Sequence, residues 1–78
     1  MQIAKGMVQV DGATYRIVRV VPHVYEAVRI SDNLVAGWFT SDLSAVTPHR
    51  VDLFTLRNVA RQAVRAAKTS WTGRLGPI

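Results

Sequence analysis

The chain changes its hydrophobic period once, near residue 50. Up to Thr40, residues rich in Val, Ile, Tyr and Thr alternate apolar with polar at a period of two, the signature of half-buried strands. From about Val51 to Thr69 the apolar residues recur at a period of 3.6, as on one face of a helix. A chain that finishes its strands before it starts its helix folds as α+β.

The punctuation of the first half sets the number of strands. Asp11-Gly12 lies between Met7–Val10 and Ala13–Ile17, a strong short hairpin signal. Pro22-His23 separates Val21 from Val24, and Ser31–Asn33 divides Val24–Ile30 from Leu34–Thr40. These breaks predict an antiparallel meander of three to four strands. Thr47-Pro48 reads as an N-cap with proline at the first helical position. Leu53, Leu56, Ala60, Ala63, Val64 and Ala67 share one helix face, with Val59 beside them, and that face is expected to cover one side of the sheet. Asp52 near the start, and Arg65 and Lys68 near the end, suit the helix dipole. Residues 1–70 are expected as a single domain and 71–78 as a flexible C-terminal tail, with Trp71 able to fold back on the core.

A chain of 78 residues is near the lower limit for one unstapled core, and it has no cysteine for a disulfide or a thiolate metal site. Apolar runs of about five residues are far short of a membrane span. The N-terminal Met1–Gly6 lacks the basic-then-apolar layout of a signal peptide, so a cytoplasmic location is the expectation. The net charge of +5, carried mostly by arginine, favours nucleic acid, an acidic protein or another anionic surface as partner. A GC-rich genome, which favours arginine and alanine codons, would give the same balance without a function.

Hairpin register divides the sheet residues between two faces. With a two-residue Pro22-His23 loop, Val21 faces Val24, Arg19 faces Glu26, Ile17 faces Val28 and Tyr15 faces Ile30. A three-residue Ser31–Asn33 loop adds Leu34, Ala36 and Trp38 to that apolar side, the seat for the helix. The other side then carries Lys5, Met7, Gln9, Thr14, Arg16, Val18, Val20, Tyr25, Ala27, Arg29, Val35 and Phe39, with Arg16 across from Arg29. A two-residue Asp32-Asn33 loop instead turns Trp38 outward and brings Val35 and Phe39 inward.

On the first register Lys5, Arg16, Arg29, Tyr25 and Phe39 form a basic and aromatic surface. Its arginines suit phosphates or guanine edges, and its rings suit stacking. The same face also fits a protein partner, a homodimer contact, or a partly solvated sheet with arginines lying over valines. A second candidate surface is the stripe Arg57, Arg61, Arg65 and Lys68, spaced by four, four and three beside the apolar face of the helix. A solvated helix face is the plain alternative.

Catalytic chemistry finds no footing. His23 and His49 have no ligand-type neighbours, so no metal and no cofactor are expected. Asp11, Asp32 and Asp42 belong to turns, and Glu26 and Asp52 have local roles. No nucleophile motif or glycine-rich phosphate loop is present. The expectation is a non-catalytic binding module for nucleic acid or a nucleoprotein complex, without a membrane or small-molecule substrate.

The run Tyr15–Pro22, with Ala27–Ile30 and Gly37-Trp38-Phe39, is similar in spacing to the plant ethylene-response-factor DNA-binding domain. That domain, like the arm-binding domain of some phage integrases, packs a three-stranded sheet on a helix and reads the major groove with the free face. The resemblance implies Arg16, Arg19 and Arg29 as reading residues. In format alone the chain also resembles small phage or mobile-element inhibitors, such as anti-CRISPR proteins, which bind a host complex and block it.

Overall fold

Asp11 and Gly12 both take positive φ, 52° and 83°, the backbone of a type I′ turn, whose twist matches that of the strands it joins. From that hairpin the sheet grows in chain order. A computed structural model describes residues 6–71, with side chains through Ala66. It shows β1 (Met7–Val10), β2 (Ala13–Val21), β3 (Val24–Arg29), β4 (Leu34–Thr40) and β5 (Val46–Pro48), all antiparallel neighbours, followed by α1 (Leu53–Trp71). The class is the expected α+β meander with one helix, but the strands number five. Lys5 and residues 72–78 of the expected tail lie outside the described residues, as does the side chain of Trp71. No helix among the described residues is long and apolar enough to cross a membrane.

The fifth strand replaces the expected N-cap at Thr47-Pro48. Thr47 pairs with Trp38 and Pro48 with Gly37 at the sheet edge, a position that tolerates a missing N–H. Past it, the His49 and Arg50 N–H groups both donate to the Ala36 carbonyl (2.8 and 3.3 Å). The cap is Asp52, whose Oδ1 accepts the Thr55 N–H at 3.3 Å while its backbone carbonyl accepts the Leu56 N–H at 3.1 Å. The Thr55 side chain, followed by the Thr55 backbone N–H, lowers the Asp52 pKa below its ordinary value.

Two bulges decide the faces. Val21 pairs with Val24 as expected, but Arg19 pairs with Tyr25, so Val20 is an extra residue on β2. Every pair farther from the turn is therefore shifted by one. Tyr15 faces Arg29 instead of Ile30, Ile17 faces Ala27 instead of Val28, and Glu26 faces Val18 instead of Arg19. A second bulge falls at Ala36: Ala27 pairs with Gly37, but Val28 pairs with Val35. Val20 carries no glycine or proline to announce its bulge, whereas Gly37, at φ 154°, directly follows Ala36 and is the kind of in-strand glycine that marks one.

The core consequently differs from the expected one on β3 and β4. Val8, Val10, Tyr15, Ile17, Tyr25, Ala27, Ala36 and Phe39 pack against Leu56, Val59, Ala60, Ala63 and Val64. Leu53, expected on the apolar helix face, is exposed. The helix packs most heavily on the edge strands β1 and β5 and so bridges the sheet from edge to edge. Gly37 makes this approach possible. A Cβ there would collide with the Thr47 carbonyl oxygen and with Leu56 Cδ2, and its φ of 154° is one that side-chain-bearing residues rarely adopt.

Candidate functional site

The five residues expected to form a sheet site are not brought together. Tyr25 and Phe39 are 2% and 1% exposed and belong to the core, their rings stacked with centroids 5.8 Å apart. Arg29 sits opposite Tyr15 on the helix side of the sheet, not opposite Arg16, whose partner is Val28. It forks onto Asp32, with Nε donating to Oδ1 at 3.2 Å and Nη2 to Oδ2 at 2.9 Å. The bidentate bond holds the Asp32 carboxyl below its usual range and raises the Arg29 pKa. Arg29 is thus engaged in stitching the four-residue β3–β4 turn. Of the set only Arg16 is exposed on the outer face, and Lys5 falls outside the described residues. The three reading arginines implied by the plant-domain resemblance separate in the same way: Arg16 lies on the outer face, while Arg19 and Arg29 share rows with Tyr25 and Tyr15.

That outer face is centred on a different group. The Trp38 Nε1–H donates to Glu26 Oε2 at 3.1 Å, and the His49 ring tilts against the indole at a centroid distance of 5.3 Å. Around them lie Met7, Arg16, Val18, Val28 and Val35, placed by the ladder pairs Met7–Arg16, Arg16–Val28, Val28–Val35 and Val18–Glu26. Trp38 lies outward and Phe39 inward, as the two-residue Asp32-Asn33 loop reading has them and the three-residue reading does not, while Val35, inward on that reading, pairs with Val28 on the outer side.

The helix stripe is better assembled. Arg57, Arg61 and Arg65 are exposed, and Lys68 continues the spacing, its side chain outside the described set. At 100° per residue the row starts beside the apolar face, as its spacing predicts, with Arg57 about 20° from buried Val64; Arg61 and Arg65 then swing away from it, and together they form an exposed crest of α1. The whole helix contains no Asp or Glu. Arg57 and Arg61 have no ion-pair partner among the described residues; Asp11 lies in the β1–β2 turn, and the other four carboxylates are occupied elsewhere, Asp32 by Arg29, Glu26 by Trp38, Asp42 by Ser44 and Asp52 by Thr55.

Phe54 heads this crest and was missed in the sequence reading. It stands three, seven and eleven residues before Arg57, Arg61 and Arg65, in phase with all of them, and is 67% exposed. The signal was an aromatic residue in the polar phase of the helix. An exposed ring beside guanidinium groups can stack on a flat ligand while the cations hold its charge.

No family model, curated protein or solved structure matches the chain. The geometry of this crest and of the sheet face is therefore what bears on function. Among the described residues no three His, Asp or Glu side chains gather as a metal-binding set.

Proposed function

We propose that the chain is a non-catalytic binding module that holds nucleic acid along the crest of α1. Arg57, Arg61 and Arg65 meet successive backbone phosphates, and Phe54 stacks on an unpaired base. The observation that carries this reading is a helix with exposed arginines at every fourth position, no acidic residue, and an exposed phenylalanine at its head. Four residues advance about 6 Å along a helix, so the guanidinium groups are spread along a line and not gathered into one pocket. A line of charge suits a polymer of phosphates better than a single anion. An acidic protein surface, as on a nucleoprotein complex, offers charge to the same crest. Phe54 favours nucleic acid, because every base presents a flat face to it.

Fluorescence anisotropy with labelled duplex DNA, single-stranded DNA and RNA over a salt series tests the reading. The chain should bind with a steep salt dependence. Arg57→Glu with Arg61→Glu should abolish binding while circular dichroism stays unchanged. Phe54→Ala should weaken single-strand binding by about 5- to 150-fold and affect duplex far less, since stacking on a base is worth about 1–3 kcal/mol. Binding that survives the double arginine change would overturn the proposal.

A further inference from the structure

Apart from His49 against Trp38, no segment lies over the outer face of the sheet among the described residues. Val28 there is 6% exposed, shielded by its neighbours; Val18 and Glu26 are half-buried, and Arg16 and Met7 stand exposed. On β2 and β3 four side chains form a rectangle: Arg16 beside Val28, and Val18 beside Glu26. The cation and the anion stand at opposite corners, and the two valines occupy the others. Across such a diagonal the Cα atoms are about 7–8 Å apart, and Arg16 makes no ion pair with Glu26 or with any other described carboxylate. Trp38 fixes Glu26 through one carboxylate oxygen, Oε2, leaving Oε1 for another donor. Met7, 59% exposed in the same row as Arg16 and Val28, extends the apolar rim.

From this arrangement we infer that the outer sheet face is a docking surface for a second copy of the chain. A two-fold axis lying in the plane of the face and passing close to Val18 and Val28 sets Arg16 over Glu26 of the partner subunit. The same operation sets Glu26 over Arg16 of the partner subunit and brings Val18 against Val18 of the partner subunit, with Val28 lying deeper beneath the contact. One patch then satisfies itself, as an isologous contact requires. Nucleic acid does not fit this face, because the Glu26 carboxylate is pinned near its centre and repels phosphate. The dimer leaves the crest of α1, on the far side of the sheet, facing outward on both copies.

Sedimentation equilibrium without nucleic acid, from micromolar to millimolar protein, tests the inference independently of the helix crest. The wild-type chain should form dimers. Arg16→Glu should raise the dissociation constant at least about tenfold by setting two carboxylates against each other at each contact. Val18→Arg, which brings two cations together near the axis, should do the same. Combining Arg16→Glu with Glu26→Arg should restore the dimer, because the exchanged charges still meet across the two-fold. A chain that stays monomeric to millimolar concentration would overturn the inference. So would a dimer indifferent to Arg16→Glu and Val18→Arg, or a folded charge-swap variant that fails to recover.

Discussion

Tyr25 and Phe39 stack ring on ring beneath α1, with centroids 5.8 Å apart and planes 23° from parallel. They are direct partners on β3 and β4, and both sit on the side of the sheet that a simple hairpin register assigns to solvent. The pair fixes which face the helix covers. Every other placement of a charged or aromatic side chain on β3 and β4 follows from it.

Phe39→Ala should therefore act on the core and not on a ligand. Emptying a fully buried phenylalanine site costs about 3–5 kcal/mol, a large share of the roughly 4–12 kcal/mol a domain of this size commands. Urea denaturation followed by circular dichroism measures the loss. A change below about 1 kcal/mol would show that the ring is not packed as described.

Gly37→Ala should be similarly damaging despite its single added methyl group. The new Cβ would meet the Thr47 carbonyl oxygen, which is backbone, and Leu56 Cδ2. Relieving both contacts separates β5 or the helix from the sheet. The expected cost is about 3 kcal/mol, read as a lowered Tm and faster amide exchange at the β4–β5 pairs.

Deleting Val20 should be tolerated. It is the extra residue of the β2 bulge, exposed, and its removal joins the Val21–Val24 pair to the Arg19–Tyr25 pair in an unbroken ladder without moving any other residue to a new face. A thermal melt of the deletion variant beside the wild-type chain checks this, and a Tm lowered by more than about 8 °C would overturn it.

The β4–β5 loop should respond to acid. Asp42 accepts hydrogen bonds from the Ser44 N–H (3.0 Å) and from the Ser44 hydroxyl (2.8 Å), and the backbone bond, followed by the side-chain bond, lowers its pKa from 3.8 to about 2. A carboxyl depressed on folding contributes fully above its unfolded pKa and loses that contribution as pH falls through the folded one. The Ser44 amide resonance should therefore hold to near pH 4 and shift toward pH 2. Ser44→Ala, which removes the hydroxyl bond, should move that transition to higher pH.

The class, the turn at Asp11-Gly12, most of the buried row of α1 and the basic stripe beside it were legible in the residues alone. Each of these rests on local chemistry: a turn needing positive φ, or a period that holds along one helix. The basic stripe was legible for that reason, and Phe54 could have been read from the same phase. Local signals fell short at Thr47-Pro48, where a sequence that suits a helix start instead completes the sheet edge and Asp52 takes the cap. They fell short most at Val20 and Ala36. A bulge is one unpaired residue whose presence depends on how two strands and a helix pack together; nothing at Val20 announces it, and Gly37 beside Ala36 marks an irregularity without saying which residue is left unpaired. Because side chains alternate at every step, one inserted residue reverses a face. Tertiary packing decided that Tyr25 lies inside and Glu26 outside, chose between the two loop registers the arrangement with Phe39 inside and Trp38 outside, and set Arg16 and Arg29 looking in opposite directions.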